Sequence, residues 1–322
     1  MFAKKNILVA GGTGTIGIQV VKKLIKKRAN ITVVSIDEEK FAKKVLGPDI
    51  IFKKIDLTDL NNCKKAVKNQ DMVFNLVGIK GSVGIGETKV ASYLTSMLRF
   101  QTNLMEASFL EGVKKFLFVG SVCSYPQSKI HYEDNMWNGM PKQNDRIPGI
   151  AKRVGELMGE AYQLEHGWDA VRIVRPSNVY GPFDDFNPAT AQVIPALIAR
   201  MVNGENPVNV WGDGSAIRDF IYSEDVAYWI LEVMKKAPPC LPINLGSGSG
   251  VTIKKITKTI ANLVNPSLSI VWDKDKPSGD PCRILSMDRA KDLIGYYPKT
   301  TLEEGIRKTI EWYKENNTLN NK

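Results

Sequence analysis

Asn6-Ile7-Leu8-Val9-Ala10-Gly11-Gly12-Thr13-Gly14-Thr15-Ile16-Gly17 joins a short apolar run to a helical pattern, Ile18-Gln19-Val20-Val21-Lys22-Lys23-Leu24-Ile25, through a glycine-rich turn. The order reads strand, turn, helix. Glycines at 11, 14 and 17 permit a tight turn, a close approach of the backbone to a pyrophosphate and packing of helix on strand. The free N–H groups of the helix N-terminus would face the anion. An ordinary Gly-rich βα turn has the same pattern, so the next strand has to separate the two readings. It runs from Ile31 to Asp37 and ends in a carboxylate about 20 residues past the last glycine, where a ribose hydroxyl acceptor belongs. Asp37 therefore points to NAD. A 2′-phosphate would be repelled there, and the turn has no Arg or Lys to receive one. The competing reading of Asp37 is a solvated loop acid.

At 322 residues the chain is long enough for one large α/β unit with a smaller lobe. Hydrophobic content of 43% with 24% charged residues suits a soluble globular protein. The apolar run at residues 7–10 is too short for a secretion signal and no run reaches membrane-spanning length, so no membrane partner and a cytoplasmic location are expected. Cys63, Cys123, Cys240 and Cys282 have neither paired nor metal-ligand spacing, and His131 and His166 are the only imidazoles; no metal is expected. The net charge of +10 comes mostly from short Lys clusters such as Lys22-Lys23 and Lys64-Lys65, which read as solvated helix faces. No aromatic-interleaved basic module accompanies them, so nucleic acid is not an expected partner, whereas an anionic small ligand suits the charge.

Further strands are expected at Asp49–Leu57, Asp71–Gly78, Lys115–Gly120 and Ala170–Arg175, alternating with helices at Leu60–Asn69, Ser92–Glu111 and Ile150–Glu165. This βα rhythm predicts right-handed crossovers and a Rossmann-type, doubly wound parallel sheet. Beyond Pro176 the rhythm loosens, with short strands at Val208–Trp211 and Ile217–Ile221. The expected division is a dinucleotide-binding domain over 1–176, to which 217–246 returns, and a smaller C-terminal lobe made of 177–216 and 247–322.

Several ordered motifs now add up. Besides the glycine turn and Asp37 they are Asp56-Leu57, Gly120-Ser121-Val122-Cys123-Ser124-Tyr125-Pro126, Ala151-Lys152, Arg175-Pro176-Ser177-Asn178-Val179-Tyr180-Gly181-Pro182, Arg218-Asp219-Phe220 and Asn244-Leu245-Gly246-Ser247-Gly248. With them the chain resembles the extended short-chain dehydrogenase/reductases, the nucleotide-sugar epimerase/dehydratase family, over essentially its whole length. The Gly-Ser-x-Cys-x-Tyr-Pro turn, the run Asn178 to Arg200 and Lys276-Pro277 through Arg283 are most similar to the GDP-fucose synthase branch, which implies a GDP-sugar as substrate. The resemblance implies cofactor contacts from Gly11, Thr13, Gly14, Thr15, Ile16, Gly17, Asp37, Asp56, Leu57, Leu76, Val77, Gly78, Asn103, Lys152, Pro176 and Asn178. It implies substrate contacts from Lys80, Ser121, Asn178, Gln192, Val193, Arg200, Arg218 and Arg283. Guanidinium forks match phosphate oxygens, so Arg218 and Arg283 suit a diphosphate clamp with Arg200 assisting; each is also readable as a surface Arg. Family members commonly dimerise, which implies a homodimer through the helices near 92–111 and 150–165, with apolar residues such as Tyr93, Leu94, Met97, Leu98, Leu104 and Met105; core packing is the other reading of this stripe.

Two positions depart from the family. A Tyr normally stands four residues before the active-site Lys and shuttles the proton; with Lys152 as that Lys, the Tyr position holds Pro148. Tyr125 to Lys129 spells the motif literally, but Pro126 opposes the helix that would stack the two side chains. The synthase branch places a proton-donating His where this chain has Gln192, and a neutral amide is no acid at pH 7. Cys123, the matching base position, is retained, and plain core packing is its alternative role. Ser121, Lys152, Cys123 and Tyr125 are the catalytic candidates. Three readings follow: an NAD-dependent oxidoreductase that only moves a hydride at a sugar carbon, C4, of a GDP-hexose or GDP-heptose; an epimerase or epimerase-reductase with rearranged acid and base; and a catalytically silent protein that binds NAD and a nucleotide sugar.

Overall fold

The computed structural model describes residues 1–79, 89–187, 190–276 and 278–317. Lys80, expected to touch substrate, lies outside the described residues, as do Gly81, Gly84, Gly86 and Pro277. The apolar runs form seven parallel strands: β1 (Asn6–Ala10), β2 (Asn30–Ser35), β3 (Ile51–Lys54), β4 (Met72–Asn75), β5 (Lys115–Val119), β7 (Val171–Pro176) and β12 (Pro242–Leu245), with the short strands β6 (Ile130–His131), β8 (Asn178–Tyr180), β9 (Val208–Trp211), β10 (Ile217–Arg218) and β11 (Phe220–Tyr222) falling between them in the chain. They lie in the order β12-β7-β5-β4-β1-β2-β3. Side chains alternate across a strand, and here each face has its own core. Ile7 and Val9 of β1 and Phe74 of β4 join one cluster, while Leu8 and Ala10 of β1 and Val73 of β4 join the other. Helices α1 (Thr15–Lys26) and α7 (Ser223–Lys236) pack together over the first face. Helices α3 (Leu60–Val67), α4 (Val90–Leu110) and α5 (Arg146–His166) cover the second; α2 (Glu39–Leu46) follows β2.

Strand order reverses at β1, whose neighbours are β2 on one side and β4 on the other. A crevice therefore opens at the carboxyl ends of β1 and β4, the place where open α/β sheets bind ligands. The glycine turn leaves from one side of it and residues 76–79 from the other.

The expected return of 217–246 to the main sheet is divided. β12 lies at the sheet edge beside β7, and α7 packs on α1. Residues 217–222 instead form β10 (Ile217–Arg218) and β11 (Phe220–Tyr222), which pair outside the main sheet. β11 pairs with β8 (Asn178–Tyr180). β10 pairs with β13 (Val251–Thr252) and with β15 (Cys282–Leu285). Asp219 explains the break. Its buried carboxylate accepts hydrogen bonds from Ser247 N and Oγ at 2.7 Å, Leu285 N at 3.2 Å and Ser177 Oγ at 3.3 Å, stitching four chain segments together. The smaller lobe has its own core between α6 (Val193–Val202), α8 (Ile253–Val264) and α10 (Leu302–Asn317), with β9 (Val208–Trp211) and β14 (Ile270–Asp273) beside it; α9 (Asp288–Ile294) packs against β12.

Helix α5 begins four residues before the expected Ile150. Pro148 is its third residue, where a missing N–H costs the helix nothing. The helix stacks Pro148 and Lys152 one turn apart. The apolar residues offered for a dimer face divide differently from expectation: Met97, Leu104 and Met105 belong to the chain's own core, because α4 is covered by α3 and α5. The exposed apolar residues of this pair lie at the two ends of α4, Val90 and Leu110, and on α5, at Val154, Leu157 and Leu164. Among the described residues no helix is long and apolar enough to cross a membrane.

Candidate active site

The cofactor end is built by the turn after β1. Gly11 has φ +74°, and a Cβ there would meet Leu76 O at 2.8 Å, so only glycine lets β1 and β4 approach this closely. A Cβ at Gly17 would run into Gly11 O, which is what seats α1 on the turn. Gly14 differs: its nearest neighbour would be 3.5 Å away, leaving its backbone open. It caps α1 without a side-chain hydrogen bond, and the first turn carries no acid. The first N–H groups of a helix have no carbonyl partner within the helix, and such groups suit a pyrophosphate. Asp37, just past the end of β2, is held over the turn: Thr13 Oγ1 lies 2.5 Å from its Oδ2, and Ser35 Oγ donates to the same atom at 2.9 Å. Ile16 packs on the core, and Thr15 Oγ1 donates to Phe183 O at 3.1 Å. These residues fit a dinucleotide.

Other expected cofactor residues support the crevice from behind. Asp56 Oδ1 accepts from Thr58 N at 2.8 Å, Asn103 Nδ2 donates to Thr58 O at 2.9 Å, and Leu57 is buried in the core. Asn103 thus spends its amide on the 56–58 turn. Leu76 N donates to Ala10 O and Val77 N to Asn75 Oδ1. A Cβ at Gly78 would meet nothing within 4 Å. Pro176 ends β7 beside Leu245.

A cavity of 670 Å³ continues from the strand ends into the smaller lobe. Ser121 and Cys123 form one wall, Asn178 with Gln192 and Val193 another, and Arg200 and Arg218 line the outer part. Ser121 follows β5 and opens a single 3₁₀ turn at residues 122–124; its Oγ accepts from Cys123 N at 3.1 Å. Asn178 Nδ2 donates to Asp219 O at 2.8 Å, fixing the amide at the cavity edge. Gln192 is exposed at the start of α6. Lys152 is 9% exposed, with Nζ 5.3 Å from the Phe118 ring centre. Burial lowers its pKa to about 8 against the opposing pull of Glu156 and Cys123, so a substantial part is neutral in mildly alkaline solution. Burial, then the Asp145 carboxylate, push the Cys123 thiol up to about 11.

Two candidates are drawn elsewhere. Tyr125 is buried; its hydroxyl donates to Asn244 Oδ1 at 2.6 Å and accepts from Arg175 Nη1 at 2.8 Å. Desolvation raises its pKa far above the ordinary phenol range. It belongs to a buried network completed by Arg175 on Glu156 at 2.6 Å, and supplies no proton to the cavity. Arg283 is paired with the carboxylates of Asp145 and Asp280 and is not among the cavity residues. Two carboxylates thus already hold its charge. Arg200 also pairs with Glu205 but keeps its place on the cavity. Arg218 Nη1 donates to Ile217 O at 2.8 Å and to Asp280 O, which anchors the side chain at the cavity. The sequence reading passed over Trp211 and Ser278, which line the outer cavity. In Val208-Asn209-Val210-Trp211 the valines are buried and Trp211 is 64% exposed at the strand end; a large aromatic on the polar face of an alternating strand is the signal that was available.

A family model described as NAD dependent epimerase/dehydratase matches residues 7–246. The chain therefore belongs to that family and is an NAD(P)-dependent enzyme of the extended short-chain dehydrogenase/reductase type. It is 31% identical over 319 residues to a putative GDP-L-fucose synthase 2 of Arabidopsis thaliana, covering 97% of this chain and 92% of the relative. Among solved structures it resembles a UDP-glucose 4-epimerase with UDP-glucose from Thermotoga maritima (TM-score 0.85, 28% identity, 97% of this chain and 99% of that one). It also resembles a GDP-L-fucose synthetase from Naegleria fowleri bound to NADP (TM-score 0.83, 26% identity, 99% and 96%).

Proposed function

We propose that this enzyme binds NAD and a GDP-sugar, a hexose or heptose, and performs hydride transfer at one sugar carbon, C4, without inverting neighbouring carbons. The observation that carries the reading is the proton inventory around the cavity. Gln192 and Cys123 line the cavity as a neutral amide and, at neutral pH, a thiol, and Pro148, outside that lining, has no proton to exchange. Epimerisation by proton transfer at a carbon beside a carbonyl needs a base on one face and an acid on the other, which Cys123 as a thiol and Gln192 as an amide do not supply. Removing a hydride and a hydroxyl proton needs less. A nicotinamide dinucleotide supplies the hydride acceptor or donor. On the protein side, Ser121 Oγ hydrogen-bonds the reacting sugar oxygen. Neutral Lys152 takes its proton through Ser121 or through a water at the position left free by Pro148. Arg218 and Arg200 meet the diphosphate, and Asn178 orients the sugar.

Asp37 supports NAD over NADP, since a carboxylate beside the turn accepts from a ribose hydroxyl and repels a phosphate. Titration calorimetry checks both ligands: tighter binding of NAD than NADP and of GDP- than UDP-sugars is expected, whereas preference for NADP or no nucleotide-sugar binding overturns the assignment. Exposed Val154, Leu157 and Leu164 on α5 support a homodimer through this helix; a monomer mass in light scattering at working concentration contradicts it. An epimerase or synthase-like reading has one observation in its favour, the presence of Cys123 on the cavity wall, and it is distinguished by deuterium uptake from solvent into the sugar carbons.

A further inference from the structure

The loop after β8 touches both the cofactor turn and the C-terminal helix α10. Within it Phe183 has φ +66°, a left-handed conformation that costs a bulky side chain and persists only where its surroundings hold it. The Phe183 carbonyl accepts from Thr15 Oγ1 at 3.1 Å, and Asp184 Oδ1 lies 3.3 Å from the same hydroxyl. Thr15 is the first residue of α1, directly after Gly14 in the cofactor turn. The Phe183 ring packs on the core of the first sheet face, with Lys22 Nζ of α1 4.7 Å from its centre, and meets the Trp312 ring of α10 at 4.8 Å. Phe186, in the same loop, packs on the core of the smaller lobe and stacks on Trp312 at 5.7 Å and on Tyr313 at 4.6 Å. Trp312 therefore meets both rings of the loop whose backbone Thr15 holds.

We infer that Trp312 is a positioning residue for the dinucleotide: by gripping Phe183 and Phe186 it holds the loop in its strained form against Thr15, and so steadies the turn that receives the pyrophosphate. This deepens the cofactor part of the proposed function and rests on it for the ligand, but not on the sugar chemistry. Holding Phe183 at positive φ costs free energy, and the ring contacts on Trp312 offset that cost. Without them the loop relaxes toward negative φ and the Phe183 carbonyl turns away from Thr15. The first turn of α1 then loses an outside support at the place where its N–H groups must stay aimed at the anion. Residues near the end of the chain thus set how firmly the glycine turn near its start holds the cofactor.

The test uses the full-length protein and reads cofactor binding rather than turnover. Calorimetry with NAD and with NADP identifies the dinucleotide that the wild type binds more tightly, and that one is the probe. Trp312→Leu should weaken its binding about five- to tenfold, the size of effect that residues remote from a ligand reach, and Trp312→Phe should recover most of the loss. Thr15→Val, which removes the hydroxyl and keeps the shape, should cost a similar factor. The double variant should lose little more than either single one, because both break one linkage. In the protein without ligand, amide hydrogen exchange over residues 181–187 should accelerate in Trp312→Leu and return toward the wild-type rate in Trp312→Phe. Melting temperatures report that each variant folds; if Trp312→Leu does not, Phe186→Leu, which takes one ring from Trp312 and leaves α10 unaltered, carries the same expectations. Unchanged affinity in Trp312→Leu, or losses that multiply in the double variant, overturns the assignment. A wild type that prefers NADP overturns the choice of NAD alone, and the role of Trp312 is then read from the same variants with NADP.

Discussion

Pro148 stands one helical turn before Lys152 in α5, the spacing at which the family resemblance implies a Tyr above a Lys. The ring fits the first turn of the helix, and no phenol stands at this position. Pro148→Tyr is therefore expected to fold normally and to raise kcat, by roughly 10- to 100-fold, since a positioned acid or base contributes about 10²–10⁴-fold. Steady-state kinetics with NAD and the sugar nucleotide measure this; an unchanged or reduced kcat means that the enzyme's proton path does not pass through this position.

Lys152 sets the expected pH profile. With its pKa lowered to about 8, the neutral amine that accepts the proton accumulates as pH rises through 8. The oxidation rate should climb through that value to a plateau and be lost as pH falls. Lys152→Gln should remove the inflection and cost about 10²-fold in kcat. A wild-type profile flat between pH 7 and 9 would assign the proton to another group.

Arg218 and Arg283 are register partners on β10 and β15 but are spent differently. Arg218→Ala is expected to raise the KM for the sugar nucleotide about 10- to 100-fold with kcat nearly unchanged, as loss of a charge-assisted phosphate contact should. Arg283→Ala leaves Asp145 and Asp280 without their cation, so its cost, roughly 3 kcal/mol, should appear in folding stability. Kinetics paired with thermal melts separate the two; equal KM effects would return Arg283 to the substrate site.

His131 is buried against Tyr125, ring centres 4.9 Å apart. Burial, then Arg283, lower its pKa to about 4. The unfolded imidazole binds its proton near pH 6.5, the folded one only near 4, so the unfolded state holds more protons in between. Stability is complete above pH 6.5 and falls as pH drops from 6.5 toward 4, by at most about 3 kcal/mol. Chemical denaturation across that range should show the slope, and His131→Phe should flatten it; the same slope in both proteins would assign the effect to ion-paired carboxylates such as Glu232 and Asp280.

The cofactor end was legible because its constraints are local. Gly11, Gly14 and Gly17 act within a dozen residues of chain, and Asp37 follows at a fixed distance along the next strand. Pro148 and Gln192 fall where the family resemblance implies a Tyr and a His, the one in a helix turn and the other at a helix start. What could not be read depended on distant segments meeting. Arg283 looked like a phosphate ligand until Asp145, 138 residues away, was brought to it. Tyr125 looked available until Arg175 and Asn244 closed over its hydroxyl. The division of 217–246 turned on Asp219, whose partners lie at Ser177, Ser247 and Leu285. Periodicity along one segment carries no trace of such pairings.

The measurement that bears most directly on the central claim is turnover in deuterium oxide. Purified protein is incubated with NAD and a panel of GDP-hexoses and GDP-heptoses, while nicotinamide absorbance and product mass are followed together. The account predicts reduced nicotinamide in step with a sugar nucleotide lighter by two hydrogens and free of carbon-bound deuterium. Deuterium incorporation without net redox change, or no change in either signal with any sugar, would contradict it.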